Sequence, residues 1–236
     1  KRILGWHELF TDTIGGVPVT GVYCTLCGAM ILYKSIHGGS HHHLGTSGFL
    51  YRSNKLMYDQ ATKSLWSTFD GRPVVGSLVG QGVELERLPV ITTTWNFWKA
   101  RHPKTRVLSL NTGHGRDYGE GVAYRDYFDT DELRFDVPEL DPRLKNKAEV
   151  VAVRFAEYPE ERLAISADFL SAHPIHEDRI GGIEFVVITD SGGANRLYER
   201  REGVRFKQWD GTRRLVDDSG QIWTLRESEL ISERLR

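Results

Sequence analysis

Apolar and polar positions along this chain change over short distances. Val17-Pro18-Val19-Thr20-Gly21-Val22-Tyr23 is rich in β-branched and aromatic residues, and Met30-Ile31-Leu32-Tyr33 is apolar but too short to show a helical period. Both segments predict strands. The same unit, a short strand closed by a glycine or aspartate turn, recurs at Phe49-Leu50-Tyr51, Leu56-Met57-Tyr58, Ser64-Leu65-Trp66 and Val74-Val75-Gly76-Ser77-Leu78-Val79. Residues 107–110 and 148–155 also predict strands, while residues 111–119, 129–144 and 168–178 predict connections. One short helix is expected over residues 92–103, N-capped by threonine and ended by Pro103, with Trp95 and Trp98 on its inner face.

Comparison of the chain with itself adds a second level of order. Ile14-Gly15-Gly16-Val17-Pro18-Val19 returns as Ile180-Gly181-Gly182-Ile183-Glu184-Phe185, and Leu32-Tyr33-Lys34 returns as Leu197-Tyr198-Glu199. Asp59 with Leu65-Trp66 is answered by Asp217 with Ile222-Trp223. These echoes predict a mainly β fold made of two related β-rich units, roughly residues 10–90 and 175–236, arising by internal duplication and forming a sandwich or barrel-like body with a few short helices. The expected organisation is a first repeat over 1–90, a connecting region over 91–174 and a second repeat over 175–236, all in one compact body.

Composition narrows the functional classes. The 236 residues are 39% hydrophobic and 27% charged, enough for real cores, and the formal net charge of -1 offers no basic field for nucleic acid. No apolar stretch reaches the length of a membrane span. The chain begins at Lys1, so an N-terminal signal or anchor is an open question. No phosphate loop follows Gly113-His114-Gly115, and no serine-hydrolase elbow occurs.

The two cysteines carry the clearest chemistry. Cys24-Thr25-Leu26-Cys27-Gly28 lies between two predicted strands, where a thioredoxin-type helix start is not expected. Gly28 suits a knuckle that takes positive φ after the second cysteine. Such a turn can supply two ligands to one soft metal ion, copper or zinc, with Met57, Asp59 or a histidine completing the sphere, or it can close as a local disulfide. The corresponding turn of the second repeat, Asp190-Ser191-Gly192-Gly193-Ala194, has no sulfur. A turn of that class therefore forms without cysteines, which raises the functional interest of Cys24 and Cys27.

These residues, with Gly48-Phe49-Leu50-Tyr51, Met57-Tyr58-Asp59, Ser64-Leu65-Trp66 and Arg116-Asp117-Tyr118, resemble the prokaryotic domain-of-unknown-function family numbered 3179. Its members typically read Tyr-Cys-Pro-Leu-Cys-Gly at the knuckle; here Thr25 replaces the proline, which loosens the turn without removing a ligand. The resemblance implies no particular activity. Many members resemble exported or membrane-tethered proteins, so it favours a cell-envelope location and makes oxidised cysteines more plausible.

Other candidates compete with ordinary structural roles. His41-His42-His43 has a metal-binding composition but reads as an exposed loop. His114, Arg116, Asp117 and Tyr118 in the glycine-rich loop are candidate catalytic residues, against an Arg116–Asp117 pair that simply pins the loop. The tryptophans are expected in the core. Three functions follow: a metal-binding or metal-dependent redox protein, a non-catalytic module stapled by a disulfide, and an enzyme acting at the 114–118 loop. The identity of any small-molecule or protein partner is not legible.

Overall fold

A computed structural model of the chain describes residues 1–233. The elements run α1 (Leu4–His7), β1 (Leu9–Ile14), β2 (Val17–Cys24), β3 (Ala29–Lys34), β4 (Ile36–His37), β5 (Ser40–His41), β6 (Leu44–Tyr51), β7 (Asn54–Asp59), β8 (Leu65–Ser67), β9 (Pro73–Val75) and β10 (Arg87–Leu88). There follow α2 (Trp95–Arg101), α3 (Arg125–Phe128), β11 (Val150–Val153), β12 (Leu163–Ser166), α4 (Ala167–Ala172), β13 (Ile175–Ile180), β14 (Ile183–Thr189), β15 (Asn195–Glu199), β16 (Phe206–Trp209), β17 (Arg214–Asp217), β18 (Ile222–Leu225) and β19 (Leu230–Ser232). The fold is mainly β. Its pairings are antiparallel, and among the described residues none of the sheets closes into a barrel. Among the described residues no helix is long and apolar enough to cross a membrane.

The chain divides into two compact units, residues 1–90 with 107–147 and residues 91–106 with 148–236. The region expected as a connector is thus divided between the two units. In the first, β1-β2-β3-β10 forms one sheet and β6-β7-β8-β9 another. The β1–β2 hairpin turns through Gly15 and Gly16, both at positive φ, as a two-residue turn between right-twisted strands requires. Val22, Tyr33, Leu44, Met57, Trp66 and Leu85 form its buried cluster. The Tyr33 hydroxyl donates to the Thr68 carbonyl at 2.5 Å, just past β8.

The second unit contains β13-β14-β15 and β16-β17-β18-β19. Phe185 and Val187 of β14 pack into one cluster with Val153, Ile165 and Leu170, while Val186 and Ile188 pack into another with Tyr198, Leu215 and Leu225. Burial on both faces explains why residues 185–188 of this strand form an apolar run rather than alternating. The Tyr198 hydroxyl donates to the Arg226 carbonyl at 2.5 Å, just past β18.

Three local expectations differ from the structure. Residues 107–110 form no strand: Val107, Leu108 and Leu110 are 66%, 47% and 43% exposed and pair with no neighbouring strand. Trp95 opens α2 at 48% exposure, so of the expected pair only Trp98, whose Nε1 donates to Thr105 Oγ1 at 2.9 Å, is turned inward, with Phe97 half-buried against Gly192. Residues 168–178 contain most of α4 and the start of β13, because Leu170 is apolar enough to be fully buried.

Candidate functional site

Cys24 ends β2, pairs with Ala29 at the start of β3, and Cys27 sits in the turn between them. Gly28 takes φ 69° and donates its N–H to the Cys24 carbonyl at 2.9 Å, which tightens the knuckle. The two Cα atoms are 5.3 Å apart and the sulfurs are joined as a disulfide. Burial is asymmetric: Cys24 is 2% exposed, whereas Cys27 is exposed.

The β6–β7 hairpin reaches the sulfur of Cys27. Its turn is Arg52-Ser53, two non-glycine residues at φ 48° and 61°, a backbone region that costs such residues about 1–2 kcal/mol each. The Ser53 hydroxyl ties the turn to the Asp136 carbonyl at 2.9 Å. Beyond it, Asn54 Nδ2 donates to Cys27 Sγ at 3.0 Å and the Ser53 carbonyl oxygen lies 4.0 Å from that sulfur. Asn54 is 6% exposed and its Oδ1 is buried without a hydrogen-bond partner.

Glu8 links the knuckle to the same hairpin. Its carbonyl accepts the Tyr23 N–H at 2.6 Å, Thr25 Oγ1 lies 3.4 Å from one carboxylate oxygen, and Thr46 Oγ1 donates to the other at 2.9 Å. The hydroxyl of Thr25, where the family pattern has proline, is thereby used. Lys55, 6% exposed, closes an ion pair onto Glu8. Burial pushes the Lys55 ammonium down to about 8, since the charged form loses water.

The 114–118 loop is held by the N-terminal segment that also presents Glu8. Trp6 Nε1 donates to the Asp117 carbonyl at 2.7 Å and Arg2 Nε to the Tyr118 carbonyl at 2.6 Å. The Tyr118 hydroxyl lies 2.5 Å from His7 Nε2 and 2.6 Å from Thr112 Oγ1. His114 brings its ring 5.0 Å from that of His7, Arg116 lies over the Trp6 ring at 5.3 Å, and Asp117 Oδ1 accepts the Gly119 N–H at 2.8 Å. Tyr118 and His114 are therefore brought together around His7. Arg116 and Asp117 make their contacts with Trp6 and Gly119 instead of supplying the loop's pin as a pair.

The structure does not bring Met57 and Asp59 to the sulfurs. Asp59 is five residues beyond Asn54 on the same strand, about 16 Å at the rise of an extended chain, and Met57 about 10 Å. Met57 is fully buried in the apolar cluster. Asp59 is fully buried too, with Oδ2 2.8 Å from His42 Nδ1 and Oδ1 accepting the Ala61 N–H at 2.9 Å. Burial pushes its carboxyl up, but the hydrogen bonds from His42 and the backbone of Ala61 and Thr62 outweigh that and hold it below the usual carboxylate range. His42 is 7% exposed, a correction to the expected exposed loop, while His41 and His43 are exposed with rings 4.1 Å apart. The middle histidine, between β5 and β6, is held inward by Asp59 and by its ring contact with Trp66 at 4.9 Å. Among the described residues no group of three or more His, Cys, Asp or Glu side chains is placed to hold a metal ion.

A family model described as protein of unknown function (DUF3179) matches residues 1–235. The chain belongs to that family. No curated protein and no solved structure matches it. In this DUF3179 member the residues that inspection of the sequence misses are Glu8, Asn54, Lys55 and His7. None sits in a motif, and each reaches its partner through strand register or through the N-terminal segment. The one available signal was the position of Asn54 immediately after a two-residue hairpin turn, next to the quoted Gly48-Phe49-Leu50-Tyr51 segment.

Proposed function

We propose that this DUF3179 protein carries out thiol–disulfide exchange through the sulfur of Cys27. One observation carries the proposal: of the two bonded cysteines, Cys27 is the exposed residue and its sulfur receives the Asn54 N–H, whereas Cys24 is buried. A donor on sulfur favours its thiolate, the reactive form.

The exchange partner is a dithiol. One partner thiolate attacks Cys27 Sγ, a partner–Cys27 disulfide forms, the Cys24–Cys27 bond breaks, and its electron pair leaves on Cys24 Sγ, which takes up a proton. The partner's second thiol, losing its proton, then attacks its own bonded sulfur and releases Cys27 as thiolate. Two electrons have moved to the cysteine pair and the partner has become a disulfide. The reverse sequence oxidises a dithiol pair at Cys24 and Cys27, with Cys27 as nucleophile and Cys24 as the resolving thiol.

Copper or zinc requires the reduced state, because a disulfide offers no thiolate. Met57 and Asp59 are engaged elsewhere, so an ion bound there would rest on Cys24 and Cys27 with ligands from outside the set the sequence suggested. The order of strands also supports two copies of one unit. In each, a Gly-Gly hairpin is followed by a second hairpin and a four-stranded meander, and a buried tyrosine donates to the carbonyl just past the meander's third strand. The second copy turns through Asp190, which pairs with Arg196 at 2.7 Å, so the sulfur chemistry belongs to the first.

The test reduces the protein with excess dithiothreitol, removes it, and alkylates with iodoacetamide at pH 7 with mass readout. Cys27 should be modified well before Cys24, and Cys24→Ser should accumulate a mixed disulfide when a small-molecule disulfide is added, its second sulfur leaving as a thiol, while Cys27→Ser does not. A pair that resists reduction in the folded state, or a Cys24 that reacts first, would leave the disulfide as a staple in a non-catalytic module.

A further inference from the structure

Resting on the exchange reading above, we infer that the partner is a polypeptide presenting its cysteine between apolar side chains, which dock on the tip of the β6–β7 hairpin. The geometry of a mixed disulfide sets the constraint. A cysteine bonded to Cys27 has its Cα about 5.5–6 Å from the Cys27 Cα, and each flanking residue adds only about 3.5 Å. The residues on either side of the attacking cysteine must therefore lie on whatever surrounds the sulfur.

What surrounds it is the hairpin. Ser53 and Asn54 touch Cys27 Sγ, and Tyr51 pairs directly with Asn54 across the turn, Leu50 with Lys55. Phe49, Leu50 and Tyr51 are 63%, 44% and 41% exposed, three consecutive large apolar side chains in water. The pairing of β6 with β7 slips between Thr46 and Leu50, and β6 is an edge strand of its sheet, with no strand hydrogen-bonded to its outer side among the described residues. Of the hairpin's own cations, Arg52 lies over the Tyr51 ring at 5.4 Å and Lys55 is paired with Glu8, while exposed Asp136 stands beside the turn with its carbonyl taking the Ser53 hydroxyl. An apolar surface one strand-width from a reactive sulfur selects apolar flanks, because their burial is gained only when the partner's cysteine is in place to react.

The experiment compares the rates at which two reduced synthetic peptides, each carrying a Cys-x-x-Cys pair, reduce the Cys24–Cys27 disulfide of the intact protein. One peptide flanks its cysteines with leucine and phenylalanine, the other with serine and glycine; dithiothreitol is the small-molecule reference. The apolar peptide should react about tenfold faster than the polar one. In the Phe49→Ser/Leu50→Ser/Tyr51→Ser variant that preference should vanish with the dithiothreitol rate unchanged. Equal rates for the two peptides on the unaltered protein overturn the docking inference while leaving exchange intact. Failure of all three reductants overturns the exchange reading, and the docking inference with it. The wild-type peptide comparison decides the question even if the triple variant does not fold.

Discussion

At the scale of single residues, the candidate chemistry depends on one amide. Asn54 Nδ2 donates to Cys27 Sγ at 3.0 Å, and a donor that is kept in the reduced protein lowers the thiol pKa by stabilising the anion. Asn54→Leu keeps the volume and removes the donor. The Cys27 thiol pKa should then rise by about one unit, the worth of a hydrogen bond to a charged group. Alkylation at pH 7 should slow severalfold, while the rate well above the pKa stays the same. A pH–rate profile separates this from misfolding; superimposable profiles for the two proteins would remove Asn54 from the mechanism. The cysteines themselves were legible because they are the only two in the chain and sit in a turn with glycine. Asn54, Glu8 and Lys55 were not, because nothing in their own neighbourhoods distinguishes them from any asparagine after a turn, any charged residue at the end of a short helix or any lysine on a strand. Met57 and Asp59 misled for a related reason. A soft or acidic side chain near a cysteine turn in sequence is a ligand only if the strand brings it there, and β7 carries both away from the sulfurs.

At the scale of elements, turns were more readable than strand partners. Glycine pairs and Asp turns have local causes, so the Gly15-Gly16 turn of β1–β2 and the Asp59 turn are each explained by residues adjacent in sequence. The apolar run at 107–110 has strand composition without a neighbour to pair with, and pairing is a non-local property. The knuckle raises an energetic question at this same scale: an exchange site must survive reduction. A bridge across three sequence positions closes so short a loop that the chain-entropy model gives about 2 kcal/mol of stabilisation, against about 4.7 kcal/mol for a 100-residue loop. The Gly28 N–H to the Cys24 carbonyl and the β2–β3 ladder hold the turn independently of the sulfurs. Thermal unfolding with and without reductant should therefore show a folded protein in both cases, with the midpoint lowered by less than about 10 °C on reduction. Collapse of the fold on reduction would make the disulfide a structural staple and its cycling implausible.

At the scale of the whole molecule, both units place hydrogen-bonded aspartates at turns, buried at Asp59 and Asp217 and exposed at Asp210, and this fixes the direction of the response to acid. Asp59 serves this role in the first unit. Asp210 and Asp217 do so in the second, where Asp217 Oδ2 accepts the Trp223 indole N–H at 2.9 Å and Asp210 Oδ1 accepts the N–H groups of Thr212, Arg213 and Arg214 at 2.8, 2.7 and 3.0 Å. Burial pushes all three carboxyls up, but their hydrogen bonds win and hold each below the ordinary value of 3.8. As pH falls, the unfolded chain takes up these protons before the folded one does. Stability is therefore complete above about pH 4 and is lost as pH drops through the depressed folded values. Surface pairs such as Arg143 with Asp141 add little to this, since both side chains stand in solvent. Urea midpoints should be level between pH 7 and pH 5 and should fall steadily below about pH 4. Asp59→Asn should flatten part of the acid limb without changing the rate of disulfide exchange, because its partners are His42 and the Ala61 turn rather than the sulfurs. A variant that slowed exchange would restore a link between Asp59 and the cysteine turn that the length of β7 argues against.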